Sequence, residues 1–406
     1  MHRPVSHTVV EQPIRVESSG LTTAQIAIMA VSAGICVANI YYNQPILPHL
    51  ARSFQASEHD VGRVAVLAQA GYGFGLFFLT PLGDKVNRKR LMLVLQILLV
   101  IALLCMTFAN SLLLVNIMSF LIGLSAVSVQ IIVPMAASLA RENRGRIVGI
   151  IFTGILVGVL FARVFSGFVA EWLGWRYVYG ISAAMVTGVM IALQVSLPNV
   201  ASEFRGTYGQ LLASTVHQIG RFPLLRQTAL LGALVFGTFC SFWTTLTFHL
   251  SGPPFRYQTG TIGLFGLLAI GAALMAPYFG KLADKGNANQ VRLITVSLII
   301  LSVLIVKVFP FSAVAFILTV LLLDLGAQST QVTNTALIYT LDSTAHSRIN
   351  TVYMTTYFLG GAIGTFVGIQ CWAWGGWSMV TWQLLIWSSL ALLVLWVSAR
   401  KLTDRT

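Results

Sequence analysis

The chain has 406 residues, of which 56% are hydrophobic and only 9% are charged, and its formal net charge is +13. Soluble domains usually carry about 25% charged residues, so this sequence has too few polar groups to cover a water-facing surface. The composition excludes a soluble enzyme, a soluble nucleic-acid-binding protein and a disordered protein. It predicts an integral membrane protein.

The N-terminal segment, residues 1–23, does not resemble a secretory signal. It contains Pro4, Glu11, Pro13 and Glu17, and no apolar core precedes the first long hydrophobic run. A signal peptide requires such a core. We therefore expect this segment to be a polar tail in the cytoplasm.

Twelve apolar runs follow the tail, and each can cross a bilayer as a helix of about 20 residues. They cover residues 24–48, 59–82, 91–109, 112–140, 147–171, 176–197, 227–250, 259–282, 292–309, 312–341, 349–372 and 378–399. The sequence therefore predicts an all-α membrane protein with two six-helix bundles, residues 24–197 and 227–399. A cytoplasmic linker, residues 198–226, joins them, and a short cytoplasmic tail, residues 400–406, follows.

The distribution of basic residues predicts the orientation, because the short cytoplasmic loops of membrane proteins are enriched in lysine and arginine. With the N-terminus inside, 19 of the 25 basic residues fall in cytoplasmic segments and five fall outside. The remaining one, Arg163, lies within a span. We therefore expect both termini to be cytoplasmic.

The two halves of the chain resemble each other at a shift of about 200 residues. Residues 82–85, Leu-Gly-Asp-Lys, follow the second span, and residues 282–285, Leu-Ala-Asp-Lys, follow the eighth, so Asp84 corresponds to Asp284. Two parallel six-helix repeats are a transporter architecture, with the substrate site between the halves near the middle of the membrane.

These motifs resemble those of a known family. Residues 82–90, Leu-Gly-Asp-Lys-Val-Asn-Arg-Lys-Arg, resemble the loop signature between helices 2 and 3 of the major facilitator superfamily. Residues 41–45, Tyr-Tyr-Asn-Gln-Pro, and residues 348–350, Arg-Ile-Asn, look like the bacterial twelve-helix drug- and sugar-efflux branch. Ser119 departs from the pattern, since drug:proton antiporters usually carry an arginine there. The resemblance implies the major facilitator fold, a bacterial inner-membrane location and secondary active transport.

Two charged residues lie deep in predicted spans. Asp324 is the acid that we place in the tenth span, and Arg163 is the base in the fifth. A buried unpaired charge is costly, so such residues usually face a cavity or a partner. We expect Asp324 to carry the proton and Arg163 to influence its titration. The alternatives are a helix-packing hydrogen bond for Asp324 and a structural counter-charge for Arg163.

Polar residues recur at helical spacing in four spans and predict a substrate cavity. Span 10 has Asp324, Gln328, Gln331 and Thr335; span 1 has Ser32, Cys36, Asn39 and Asn43; span 4 has Asn116, Gly123 and Gln130; span 7 has Thr238, Thr245 and His249. The resemblance implies that these four spans line the central cavity. Polar side chains also hold membrane helices together, and this alternative applies to each stripe by itself.

Aromatic side chains offer a complementary surface for a ligand. Tyr42 and Tyr353 are the two that we place in the cavity, where their rings could stack on a substrate. Aromatic residues also form belts at the membrane interface, and that alternative applies to both. His249 is a second titratable candidate near the end of the seventh span, where an interfacial role is the alternative.

The charges after the second span predict a cytoplasmic latch. Asp84 is followed by the basic residues Arg88 and Arg90, and arginines or helix N-termini can stabilise its carboxylate. We expect the mobile partner of Asp84 to come from the other half, with Asp284 making the weaker equivalent contact.

The sequence thus predicts a proton-coupled exporter of a small organic molecule that works by alternating access. The four cysteines lie in separate apolar runs, and neither a nucleotide-binding loop nor paired metal ligands occur, so we expect no cofactor, metal or enzymatic activity. The expected partners are the substrate, protons and lipid, without nucleic acid, and the chain is expected to be a monomer. A proton-linked or facilitative importer is the first alternative, and a non-transporting membrane receptor is a remote one.

Overall fold

The computed structural model describes residues 21–140, 143–199, 206–282, 288–342 and 345–403. All regular elements in these ranges are helices. Those of the N-terminal half are α1 (Thr23–Ala38), α2 (Asn43–Phe54), α3 (Glu58–Phe78), the short α4 (Leu82–Lys85), α5 (Arg88–Thr107), α6 (Leu112–Ala126), α7 (Val129–Leu139), α8 (Arg144–Trp172) and α9 (Trp175–Ser196).

A linker with its own helix, α10 (Tyr208–Arg221), precedes the C-terminal half. The helices of that half are α11 (Pro223–Ser251), α12 (Thr259–Leu282), α13 (Ala288–Val308), α14 (Ala313–Tyr339) and α15 (His346–Thr403). The backbone leaves the helical conformation at Gly375 and Gly376 inside α15. Gly376 has a φ of 58°, which favours glycine, and the turn divides α15 into the eleventh and twelfth spans.

The predicted fold class is confirmed. Ten helical segments of the described chain are long and apolar enough to cross a membrane, and Thr259–Gly271 is a shorter apolar helix. One of the ten, His346–Val397, contains the turn at Gly375 and is therefore two spans. The total is twelve, as the hydropathy of the sequence predicts.

Two predicted spans are broken near the middle. Span 1 consists of α1 and α2, separated by a turn at residues 39–42, and span 4 consists of α6 and α7, separated at residues 127–128. In the first break the backbone hydrogen bonds join residues three apart instead of four, from Ile40 N to Val37 O and from Tyr41 N to Ala38 O. Pro45 lies just beyond it and has no N–H for the carbonyl of Tyr41.

Small polar residues begin several helices by accepting a backbone N–H, as helix capping requires. Such caps are Thr22, Ser57, Asn87, Ser111, Thr207 and Ser312. Inside each half, glycines allow the helices to cross closely. A Cβ at Gly158 would meet the backbone of Gly34, and a Cβ at Gly364 would meet that of Gly237. The small-residue faces of spans 5 and 11 are therefore close packing surfaces.

The halves contact each other at both ends of the bundle. We call the end with α10 and Asp84 the linker end, and the end with Glu171 and Thr259 the opposite end. At the opposite end the interface is tight: a Cβ at Gly167 would lie 2.7 Å from the carbonyl oxygen of Thr259. At the linker end, the Tyr208 hydroxyl donates to the Phe78 carbonyl at 2.6 Å.

Candidate functional site

Arg163 lies where α8 meets the C-terminal half, and its side chain is 1% exposed. Its Nε donates to Gln44 Oε1 in α2 at 3.0 Å. Its guanidinium carbon lies 3.8 Å from the ring centroid of Trp243 in α11. The rings of Tyr41 and Phe239 lie 5.6 Å away. The guanidinium of one half is thus held against aromatic rings that belong mostly to the other half.

Two glycines of α12 allow the second half to approach Arg163. A Cβ at Gly263 would lie 2.5 Å from the carbonyl oxygen of Arg163, and a Cβ at Gly266 would lie 3.0 Å from its Cβ. Any larger residue would push α12 away from α8. The spacing Gly263–Gly266 therefore positions the contact between the halves at the depth of the guanidinium.

Asp324 lies near the middle of α14 and is 0% exposed. Its carboxylate interacts electrostatically with Arg163 and also with the indole of Trp243. Neither Oδ1 nor Oδ2 has a hydrogen-bond partner, and the same is true of Nη1 and Nη2 of Arg163. The two charges that the sequence singles out are therefore neighbours across the two halves, but they do not form a hydrogen bond with each other.

Three other titratable groups surround this pair. Tyr41 and Cys240 interact with Arg163, and Tyr357 interacts with Asp324. All three are buried. The arrangement contains one acid and one base among neutral side chains, so the pair carries no net charge when both are ionised.

The other polar residues of span 10, which is α14, differ in their contacts. Gln331 accepts a hydrogen bond from the Tyr357 hydroxyl at 3.2 Å. Gln328 is half-buried on the same side of the helix, since it lies one turn from Asp324. Both glutamines thus belong to the face of α14 that includes the acid.

Span 1 places its two asparagines differently. Asn39 uses its Nδ2 for the Ile35 carbonyl at 2.8 Å, while its Oδ1 accepts from Ser182 in α9 at 2.7 Å. Both bonds lie inside the N-terminal half. Asn43 donates to the Ile40 carbonyl at 2.9 Å, and its Oδ1 is buried without a partner.

Gln130 and Thr245 use their polar groups locally. Gln130 Nε2 donates to the Tyr72 hydroxyl at 3.0 Å, and Thr245 Oγ1 donates to the Ser241 carbonyl of its own helix at 2.8 Å. Such bonds satisfy polar groups inside a helix bundle. The structure therefore provides a helix-packing function for each of them.

The two predicted cavity tyrosines are both fully buried. The hydroxyl of Tyr42 interacts with Ser182 and that of Tyr353 with Asn334, but neither makes a hydrogen bond of standard geometry. The ring of Tyr42 lies 5.4 Å from that of Phe165. Tyr353 interacts with Arg292, and its ring lies 5.9 Å from that of Tyr357.

Sequence reasoning missed two residues. Gln44 was part of a recognised motif, but its contact with Arg163 was not predicted. Arg292 is the first residue of the ninth predicted span, and its burial was not predicted. It lies in the second turn of α13 and is 2% exposed, so Arg163 is not the sole buried arginine of the described chain. Arg292 donates to Asn289, one turn earlier. Its position at the edge of an apolar run was the available signal.

The predicted latch has contacts in both halves. Asp84 Oδ1 pairs with Arg88 Nη2 at 3.2 Å inside the N-terminal half. Asp84 Oδ2 accepts from Ser347 Oγ at 3.4 Å, and Ser347 belongs to the C-terminal half. Arg90 is exposed, and Asp284 lies outside the described residues. Among the described residues, Asp84 thus contacts the C-terminal half through one long hydrogen bond.

His249 lies at the opposite end of α11 in an aromatic cluster. Its ring stacks on Trp377 with a centroid distance of 4.5 Å, and Nε2 contacts the Pro310 carbonyl at 2.8 Å. These partners all belong to the C-terminal half. This histidine therefore packs away from the Arg163–Asp324 pair.

The sequence matches the Major Facilitator Superfamily over residues 29–365. The chain belongs to this superfamily. It is 38% identical to the uncharacterized transporter YgaY of Escherichia coli K12 over 361 residues, which cover 89% of this chain and 92% of that protein. It is 31% identical to the probable transporter SCO4007 of Streptomyces coelicolor, with coverage of 90% and 86%. The chain is therefore a multi-pass membrane transporter.

Solved structures agree with the superfamily fold. The nucleoside transporter NupG superposes with a TM-score of 0.71 at 12% identity, covering 92% of this chain and 98% of the other. A bacterial homologue of the lysosomal transporter Spinster, in an inward-facing conformation, gives 0.67 at 15% identity, with coverage of 94% and 98%. At these identities the likeness establishes the fold alone.

Proposed function

We propose that the protein is a proton-coupled exporter of a small organic molecule. The observation that carries this proposal is the Asp324 carboxylate, fully buried with both oxygens unpaired and next to the guanidinium of Arg163. Burial favours the neutral form of a carboxyl, while a nearby arginine favours the ionised form. A group that is balanced in this way can take up and release a proton when its surroundings move.

The two groups come from different halves, and this links the proton to the conformational change. Arg163 belongs to α8 and Asp324 to α14. Rocking of one half against the other changes the distance between the charges, and with it the free energy of ionising Asp324. The proton is therefore bound in one conformation and released in the other.

The substrate is proposed to bind beside this pair. Gln328 and Gln331 extend the face of α14 that carries Asp324, and Asn43 supplies a buried unpaired oxygen from span 1. Tyr42 adds an unpaired hydroxyl. We also propose that the site is lined by the remaining predicted residues, which are Asn39, Gln130, Thr245 and Tyr353.

Orientation and direction are also proposals. The excess of basic residues on the side of the termini supports a cytoplasmic linker end. The efflux direction rests on the motif resemblance and on a Helicobacter pylori relative, named a probable sugar efflux transporter, that is 22% identical over 85% of this chain. We propose that the transporter functions as a monomer, since both halves of the site lie on one chain.

The test is a screen for accumulation in inverted membrane vesicles with an imposed pH gradient. Vesicles that contain the protein should concentrate at least one compound from a panel of amines, amino acids, sugars and nucleosides when their lumen is acidic, and lose it when a protonophore collapses the gradient. Vesicles with the Asp324→Asn variant should not concentrate it. Accumulation that ignores the protonophore would contradict proton coupling.

A further inference from the structure

The charged pair at the contact between the halves has four unused polar atoms. Nη1 and Nη2 of Arg163, and Oδ1 and Oδ2 of Asp324, are all buried without a hydrogen-bond partner. Buried polar atoms are normally hydrogen-bonded, and the planar guanidinium fork matches a carboxylate with two parallel bonds. The unpaired atoms therefore point to a ligand that has both a hydrogen-bond-accepting anionic group and a donating cationic group.

We propose that the substrate is a zwitterion, whose carboxylate binds Nη1 and Nη2 of Arg163 and whose ammonium group binds the carboxylate of Asp324. This inference rests on the proposed transport function and specifies its substrate class. The ligand body is apolar or aromatic, because the surrounding surface is aromatic. Rings of Tyr41, Phe239 and Trp243 surround the guanidinium.

A ligand with a single charge fits the pair less well. A plain amine would satisfy Asp324 but would place a second positive charge near the buried guanidinium of Arg163. The two terminal nitrogens of Arg163 would also stay unpaired. A plain carboxylate would satisfy Arg163 but would lie beside a second carboxylate. A zwitterion pairs both groups and brings no net charge into a buried site, where unpaired charges are most costly.

The same geometry gives a reason for proton exchange. An ammonium group can pair with Asp324 only when the carboxylate is ionised, so binding from the cytoplasm requires that the proton on Asp324 leave to the solvent. After release of the substrate on the far side, Asp324 takes up a proton there and returns neutral. One proton then moves inward for each zwitterion that moves outward. Tyr41, Tyr357 and Cys240 are the other titratable groups at the pair.

The polar residues beside the pair supply additional contacts of the right kind. Tyr357 has its hydroxyl on Gln331 Oε1 and its ring 4.0 Å from that of Phe236. Gln44 holds the Nε side of Arg163 and leaves the two terminal nitrogens of the fork unpaired. The guanidinium is therefore oriented before the ligand arrives, which lowers the entropic cost of binding.

The experiment is equilibrium binding to the purified full chain in detergent, with matched triplets of probes. One triplet is phenylalanine, phenethylamine and phenylpropanoate, a second is leucine, isoamylamine and isocaproate, and glucose and uridine serve as neutral probes. Binding is measured by thermal stabilisation and, for stabilising probes, by titration calorimetry. The proposal predicts that at least one zwitterion binds about tenfold or more tightly than its own amine and acid, as expected for a lost charge-assisted hydrogen bond.

Two variants assign the two ends of the ligand. Arg163→Gln should bring the zwitterion down to the affinity of its amine, and Asp324→Asn should bring it down to that of its acid. Arg163→Lys keeps the charge without the fork and should lie between wild type and Arg163→Gln. Each variant is first checked for a monodisperse elution profile, and the wild-type triplets decide the question if a variant does not fold.

Three results would overturn the proposal: an amine or acid that binds as tightly as its zwitterion, a neutral probe that binds more tightly than every triplet, or no binding by any triplet member. Other outcomes distinguish a failure of this proposal from a failure of the proposed transport function. Accumulation of a sugar or plain amine driven by a pH gradient would leave proton-coupled export intact and reject the zwitterion. A zwitterion that binds but is not driven by the gradient would reject proton coupling alone.

Discussion

Glu171, at the end of α8, accepts a hydrogen bond from the backbone N–H of Gly260, in the first turn of α12, at 2.8 Å. A carboxylate of the N-terminal half thereby caps a helix of the C-terminal half. The first N–H groups of a helix have no partner within it, and they favour negative charge. Beside this cap, His49 Nε2 contacts Thr259 Oγ1 at 2.6 Å. The opposite end of the bundle is therefore closed by polar contacts as well as by packing.

Removal of the cap should favour opening of this end. Glu171→Ala leaves the N–H of Gly260 without a protein acceptor in the closed form, while the open form loses nothing. We expect spin labels at residues 177 and 374, which are exposed on the two halves at this end, to report a larger share of long distances in pulsed electron resonance. Exposed Cys105 is replaced by alanine first.

Asp60→Ala is the matched control for the cap. Asp60 is an acid of the same end that pairs with Ser57 and Arg63 of its own half. Its loss should leave the distance distribution unchanged. An equal response to both variants would mean that charge at this end, and not the cap, determines the closure.

The glycines of α12 should be needed for the closed form. In Gly263→Ala the new Cβ would lie 2.5 Å from the carbonyl oxygen of Arg163, so α12 must move away from α8. Gly188→Ala is the control, because nothing lies within 4 Å of the added Cβ. We expect Gly263→Ala alone to lengthen the distances measured between the halves and to lower transport. Wild-type distances and transport in Gly263→Ala would show that α12 does not close against Arg163 during the cycle.

Arg163 should determine the pH range of transport. Arg163→Gln removes the positive charge beside Asp324, so the protonated carboxyl becomes favoured and the pH profile of transport should move to higher pH. Arg63→Gln, at a position where the side chain is 51% exposed, should leave the profile in place. The measurement is the initial rate of substrate uptake at a series of external pH values. An unchanged profile in Arg163→Gln would mean that the two charges do not communicate.

The latch at the linker end should have a weak effect. Asp84→Asn removes the ion pair with Arg88 and weakens the long bond from Ser347. Exposed pairs of this kind contribute only about 0.2–1 kcal/mol. We expect transport to fall severalfold while substrate affinity stays within about twofold, as for a shifted conformational equilibrium.

Ser347→Ala separates the two contacts of the latch. It removes the bond across the halves and keeps the pair with Arg88. Cysteine accessibility at the linker end should rise in both variants if the bridge between the halves is the latch. A rise in Asp84→Asn alone would assign the effect to the arrangement of α4 and α5 within one half.

The twelve spans could be predicted from the sequence because the thickness of the bilayer imposes a minimum length on each apolar run. The breaks at residues 39–42 and 127–128 were not predicted, although Pro45, just beyond the first break, was an available signal. A continuous apolar run says nothing about backbone hydrogen bonds, which proteins can satisfy with turns inside a bundle. The helix α10 was also missed because it lacks a continuous apolar run, although the capping box of Thr207 and Gln210 was an available signal.

The placement of the site residues could be predicted only where the helix is unbroken. In α14, which is unbroken around Asp324, the spacing of four and seven residues places Gln328 and Gln331 on the same face as the acid. In span 1 the stripe was continued through the turn at residues 39–42, where the helical phase changes. For this reason Gln44, and not its neighbour Asn43, reaches Arg163. Periodicity is reliable only as far as the helix continues.

The most direct test of proton coupling through Asp324 compares two modes of transport in one variant. Proteoliposomes with Asp324→Asn, and others with the control Asp60→Asn, are assayed for accumulation driven by a pH gradient and for exchange of labelled against unlabelled substrate. Asparagine keeps the shape of the side chain but cannot release a proton. We therefore expect that accumulation is abolished and part of the exchange remains, while Asp60→Asn behaves as wild type. Accumulation by Asp324→Asn at the wild-type rate would contradict the account, and His249 would be the next residue to substitute.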